Sequence, residues 1–328
     1  MDIRKIGNTS LAVTQFGFGG AAIGGLYREC TRDAAIKTLQ TAWDAGLRYF
    51  DTAPFYGFGL SERRTGDFLR AKPRETYVLS TKVGRLLRPV PEDQVPDYSY
   101  VNPLPFTVDY DYSYDGIMRS FAFSYARLGL NKVDILFVHD IGAYTHGAEK
   151  NAVYLRQLLD SGMRALEELK ASGAISAYGL GVNEVEVCLE VIARGPIDCI
   201  LLAGRYSLLD RSAERGLLEA CRKHNISLVI GGVFNSGILA TGPVPGANFD
   251  YGPASDDVLT RVRAMQDIAE ANSIPLAAAA IQFPLREPVV ANVLIGTAKP
   301  ASLTRNLELL SVKVPEAVYA AAAPFTIR

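Results

Sequence analysis

Residues 47–57 read LRYFDTAPFYG, a short apolar run that ends on Asp51 and reaches Tyr56 five positions later. The arrangement repeats down the chain. YVLSTKVG, residues 77–84, carries Lys82 past a second apolar run, and VDILFVHD, residues 133–140, carries His139 past a third. Each run has the length and β-branched or aromatic content of a buried strand. Three successive predicted strands therefore each deliver an ionisable group at the carboxyl end, and in a parallel barrel those ends share one mouth.

The rest of the chain keeps this rhythm. Strands are predicted near 16–18, 47–50, 76–80, 134–138, 175–180, 198–202, 227–231 and 291–295. Helices are clearest at 32–45, 61–70, 114–128, 156–172, 184–193, 211–223 and 256–271, several opening on Ser, Thr, Asp or Asn and closing near Gly. Alternation without a low-complexity linker implies parallel βαβ units. The expected fold is α/β, a (β/α)8 TIM barrel over residues 1–328 as one domain, with a short N-terminal β-hairpin around Gly7-Asn8 and long βα loops at the mouth. A doubly wound dinucleotide fold competes, because FGFGGAAIGG at 16–25 is glycine-rich. It is rejected, since no acidic residue follows a second strand in a ribose-reading role; Asp51 belongs to the ionisable set.

Bulk properties narrow the function. In 328 residues 48% are hydrophobic and the formal net charge is −1, which leaves no basic surface for nucleic acid or an anionic membrane. No apolar run approaches a membrane span and MDIRKIGNTS lacks a signal-peptide core, so a cytoplasmic protein is expected. Cys30, Cys188, Cys199 and Cys221 have no CxxC spacing and the histidines number three, so neither a disulfide framework nor a metal site is expected. No heptad or apolar helix face fixes an oligomeric state.

Asp51, Tyr56, Lys82 and His139 together suit proton-coupled hydride transfer to or from a carbonyl carbon. Tyr56 is the candidate proton carrier; a free phenol has a pKa near 10 and is a poor base at neutral pH unless a nearby cation favours the phenolate. Lys82 supplies that cation, Asp51 balances it, and His139 orients the substrate oxygen. Trp43, in the first predicted helix, is most simply core.

With DTAPFYG, STKVG and FVHD in this order, the chain resembles the aldo-keto reductase superfamily from KIGNTSLAVTQFGFGG to IGTAKPASLTRN. The insertion after Lys82 and the phrase LLAGRYSLLD look most like the bacterial branch of aldose 1-dehydrogenases (L-fucose, L-galactose, D-threo-aldose) and pyridoxal 4-dehydrogenases. The resemblance implies the same four catalytic roles and a nicotinamide cofactor. It places Gly19 and Gly20 beside the nicotinamide, along with Asp51, the ring flat on Tyr206, and its amide on Asn183. Val182 and Ala203 stand where relatives carry Ser and Gln, which implies a lighter amide grip. Gly232, Val233, Phe234, Asn235, Ser236, Gly237 and Leu239 match the loop around the pyrophosphate, and Gly296, Thr297, Ser302 and Asn306 match the adenosine end. Neither Gly296 nor Ser302 is basic, so NAD is expected over NADP, although Lys299 and Arg305 lie close in sequence.

Between Lys82 and the helix near 114 run about thirty residues against a common βα loop of two to six. Tyr98, Tyr100 and Phe106 are the expected substrate-facing aromatics there, with Tyr110, Tyr112 and Tyr114 as further candidates and Tyr144 and His146 from the opposite side. Such a roof suits a sugar or a pyridine ring. Oxidation of a cyclic aldose to its lactone is the first expectation, pyridoxal oxidation or general NADPH-dependent carbonyl reduction the alternatives. A cofactor-sensing binding subunit is the expectation from another class, opposed by the elaborate substrate loop.

Overall fold

In the computed structural model, which describes residues 2–328, the chain opens with an antiparallel hairpin, β1 (Ile3–Lys5) and β2 (Ala12–Thr14). Then follow β3 (Phe16–Gly19), β4 (Tyr49–Asp51), β5 (Val78–Val83), β6 (Arg85–Pro89), β7 (Phe106–Tyr110) and β8 (Ile135–His139). The last strands are β9 (Ala177–Val182), β10 (Cys199–Ala203), β11 (Ser227–Gly231), β12 (Asn248–Phe249), β13 (Gly252–Pro253) and β14 (Val290–Gly296). Eight of these close into a parallel barrel in the order β3-β4-β5-β8-β9-β10-β11-β14, with β14 returning to β3.

Alternation along the strands splits the apolar residues into two cores. Ile135 and Phe137 of β8 point with Tyr49, Cys199, Leu201, Val229 and Leu294 into the lumen, while Leu136 and Val138 pack outward under the helices. Ile6 and Val13 of the hairpin join the lumen cluster and seal the floor. Arg4 fastens that seal by donating to the carbonyls of Leu285 at 2.9 Å and Val290 at 2.5 Å. The helices start where the sequence places caps: Thr31, Ser113 and Ser255 each accept from the amide three residues on.

Several elements differ from expectation. The helix expected at 156–172 is a longer path: Ala143–Gln157, a π-turn at Leu158–Gly162, then Met163–Ala171. The one expected at 211–223 starts only at Leu217, because Arg211–Gly216 form a turn. Helices at Leu276–Gln282, Pro300–Glu308 and Glu316–Ala322 were not in the sequence reading; the first is alanine-rich and lacks a polar stripe. The long insertion after Lys82 is an antiparallel hairpin, β6 on β7, joined by an arm that lies across Leu26. Gly25 permits that crossing, since a Cβ there would sit 2.5 Å from the Val101 carbonyl, while Gly24 lets the Tyr56 turn pack close, a Cβ there coming 2.9 Å from the Tyr56 carbonyl.

Candidate active site

The register of the barrel brings Asp51 beside Ser80 and His139 beside Gly181, so the four expected residues converge at one end. Lys82 Nζ, 1% exposed, donates to Asp51 Oδ2 at 2.7 Å and to the Thr52 carbonyl at 2.9 Å. Ser80 donates to Asp51 Oδ1 at 2.7 Å and lies 3.0 Å from the Tyr49 hydroxyl, which fixes the carboxylate from the lumen side. Burial pushes Asp51 up and Lys82 down in pKa, and their mutual contact opposes both shifts. The Tyr56 ring lies 4.6 Å from Lys82 Nζ and edge-on to His139, with centroids 5.8 Å apart.

Tyr56, Lys82 and His139 line a cavity of about 450 Å³. Its walls include Phe55, Tyr98, Tyr100, Asn183 and Tyr251. Tyr98 and Tyr100 meet the Phe55 ring edge-on at 5.3 and 5.5 Å, so the insertion does roof the site. Burial, with Arg85 and Lys82 adding, holds the His139 imidazole well below its ordinary pKa, so it is neutral. Burial, Asp51 and Asp140 push the Tyr56 phenol well up, against the opposing charge of Arg85. The expected lowering of this phenol by Lys82 does not prevail, because burial first, then Asp51 and Asp140, raise it.

Other expected residues fall elsewhere. Phe106 sits at the far end of the hairpin opposite Pro89, away from the cavity. Tyr112 is fully buried behind His139, donating to its carbonyl at 2.8 Å and meeting His146 Nε2 at 2.9 Å. His146 and Tyr144 do not line the cavity; Tyr144 is exposed near Arg205. Tyr206 is 5% exposed, packs against Phe283 at 5.3 Å and does not line the cavity. Gly20 is enclosed by the Asp51 carbonyl and Ser61 and serves packing, whereas Gly19 stays on the rim.

The pyrophosphate candidates divide similarly. Val233 and Leu239 turn into the core, and the Asn235 side chain is spent on Ser207 and the Gly204 carbonyl. Gly232, Asn235, Ser236 and Gly237 adopt positive φ, which folds the backbone sharply past β11, with Phe234 half-buried beside it. Ser236 Oγ accepts from the Tyr251 amide at 2.9 Å. Beyond β14, Gly296 is exposed and Thr297, Ser302 and Asn306 are half-buried. Gly19 and Gly296 stand in register across β3 and β14, and a Cβ on Gly296 would come within 3.4 Å of the Gly19 carbonyl. Gly19 and Gly296 put no side chain on this strip, and Val182, Asn183 and Ala203 line the cavity wall, where the Asn183 amide carries the donor and acceptor that a carboxamide ring would need.

Arg85, Asp140 and Tyr251 are site residues that the sequence reading missed. Arg85 and Asp140 form a buried ion pair, and each directly follows a strand-end motif, a signal that was available. Nothing in the sequence places Tyr251 over the mouth, where its hydroxyl donates to Asn183 Oδ1 at 3.1 Å. Among the described residues no group of three potential metal ligands occurs, and no helix is long and apolar enough to cross a membrane.

His146 yields a pH test. Burial and Arg85 lower it from 6.5 to about 4. As pH falls from 6.5 towards 4 the unfolded chain takes up a proton that the folded chain refuses, so stability drops across that window. Urea unfolding at neutral and mildly acidic pH is expected to show wild type losing more stability than His146→Gln; parallel losses would show that His146 is not the titrating group.

The fold and its mouth define a barrel enzyme that carries out NAD(P)-dependent hydride transfer. A model of the aldo/keto reductase family matches residues 15–323, and the chain belongs to that family. It is 44% identical over 323 residues to pyridoxal 4-dehydrogenase of Microbacterium luteolum, covering 95% of this chain and 94% of that protein. It is 39% identical over 315 residues to D-threo-aldose 1-dehydrogenase of a Pseudomonas species, covering 94% and 93%. Among solved structures, the holo form of aldo-keto reductase AKR11C1 from Bacillus halodurans superposes with a TM-score of 0.79 at 22% identity, over 99% of this chain and 96% of that one, which supports the fold.

Proposed function

We propose that the whole chain, residues 1–328, works as one catalytic barrel domain that oxidises a cyclic aldose at C1 to the lactone, with NAD+ as acceptor. The observation that carries this reading is the convergence of Tyr56, Lys82 and His139 on a 450 Å³ cavity roofed by Tyr98 and Tyr100, with Asp51 paired to Lys82 behind it. That volume suits one monocyclic substrate beside a nicotinamide ring, and hydroxyl-tipped aromatics suit a sugar. The D-threo-aldose 1-dehydrogenase relative points the same way.

Tyr56 takes the proton from the C1 hydroxyl. It does so as the phenolate and becomes the neutral phenol; Lys82 has spent two of its three donors on Asp51 and Thr52, and the third stabilises the phenolate before the transfer. Neutral His139 holds the reacting oxygen without competing for its proton. Bound NAD+ supplies the hydride acceptor. Asn183 holds its carboxamide, the backbone from Gly232 to Gly237 its pyrophosphate, and Asn306 its adenine.

Pyridoxal is the second reading, favoured by the 44% identical relative; in water it too is largely a cyclic hemiacetal. Initial rates of NADH formation with L-fucose, L-galactose, D-arabinose and pyridoxal separate the two, and silence with every sugar would overturn the aldose reading. NAD is the proposed cofactor because Gly296 and Ser302 offer a 2′-phosphate no cation. NAD+ is expected to bind about tenfold or more tightly than NADP+, charge-assisted phosphate contacts being worth at least that much; tighter NADP+ binding in a fluorescence titration would point instead to Lys299 and Arg305. The four free cysteines, all buried, support a reducing compartment, the cytoplasm.

A further inference from the structure

Asp140 carries neither the proton nor the hydride, yet it faces the cavity. It follows His139 at the end of β8 with φ 47°, a left-handed conformation that side chains other than glycine seldom adopt. That turn keeps the carboxylate at the mouth, 12% exposed, instead of letting it swing into solvent. Three groups surround it. The Arg85 guanidinium pairs with Oδ2, Asn183 Nδ2 donates to Oδ1 at 3.1 Å, and His139 Nε2 lies 3.4 Å from Oδ2. Arg85 is itself fixed, stacked 4.1 Å over the Phe55 ring.

A carboxylate has about four acceptor positions, so Arg85 and Asn183 leave capacity for another donor. The open capacity lies beside the imidazole that holds the reacting oxygen. A hydroxyl on the next carbon of the substrate comes within reach, and a carboxylate accepts from it but repels an anion placed there. We propose that Asp140 is a specificity-determining residue that accepts a hydrogen bond from the hydroxyl on the carbon adjacent to C1, so that the enzyme selects 2-hydroxy hemiacetals and disfavours their 2-deoxy counterparts. This rests on the aldose reading above. A substrate lacking that hydroxyl leaves Asp140 desolvated with an unmet acceptor position, and sites built to bind a hydroxyl discriminate strongly against its loss.

D-arabinose and 2-deoxy-D-ribose differ only in the C2 hydroxyl, and kcat/KM for both is measured in wild type, Asp140→Asn and Asp140→Ala. Wild type is expected to prefer D-arabinose by about ten- to a hundredfold, the range for a hydrogen bond to a charged group. Asp140→Asn should narrow the preference and Asp140→Ala remove it. The ratio of two substrates on one protein is unaffected by the fraction folded, so loss of the Arg85 pair does not obscure the result. A preference that persists in Asp140→Ala, or wild type using both sugars equally, overturns the inference while the aldose reading stands. Oxidation of pyridoxal with no sugar turnover overturns the aldose reading, and this inference with it.

Discussion

Tyr56→Phe is expected to lower kcat by about a hundredfold or more, the scale of general acid–base catalysis, while NAD+ affinity stays near wild type. The substitution keeps the ring that meets His139 edge-on and Lys82 from above, so packing survives. Only the proton carrier is lost. The pH dependence gives an independent sign. Burial, Asp51 and Asp140 favour the protonated phenol, so kcat/KM for oxidation should rise with pH as the proton-accepting form becomes available. Tyr56→Phe should flatten that rise. Residual activity within a few-fold of wild type, with the pH profile intact, would move the proton-carrying role to another residue.

Lys82→Met is expected to be the most damaging single change to stability. Lys82 and Asp51 are 1% and 3% exposed in their side chains, and removing one partner strands a charge in the lumen at a cost of about 3–5 kcal/mol. Asp51 would answer by holding a proton in the folded state. A group whose folded pKa is raised stabilises at low pH and loses that contribution as pH climbs, so the deficit should grow above the ordinary carboxylate range. The double variant Asp51→Asn with Lys82→Met should regain much of the stability and none of the activity. Urea unfolding measures all three proteins; a Lys82→Met deficit below about 1 kcal/mol would mean that water reaches the pair.

How much of this was legible in sequence varied with the kind of contact. Strand positions came through because lumen and helix cores impose apolar runs that finish on ionisable residues, as at Asp51, Lys82 and His139. Element ends and fully apolar helices came through poorly: Leu276–Gln282 has no polar stripe, and the π-turn at Leu158–Gly162 leaves no sequence mark. Side-chain partners within the protein were not legible either: Tyr206 packs on Phe283, and the Asn235 side chain ties its loop to Ser207. Tyr98 and Tyr100 reach the site because the arm crosses Leu26, but Phe106, in the same insertion, is carried away by its pairing with Pro89. Such outcomes depend on register, which composition does not encode.

The barrel closes by pairing β3, near the start of the chain, with β14, nearly 300 residues later. During synthesis the growing sheet therefore carries two unsatisfied edges until β14 leaves the ribosome. Arg4 likewise waits for the carbonyls of Leu285 and Val290 before the floor can seal. A nascent chain halted before β14 would expose bare backbone donors and acceptors beside an unsealed lumen, a surface prone to pairing with other chains. Production of this enzyme should accordingly be sensitive to translation stalling and to chaperone supply from β14 onward.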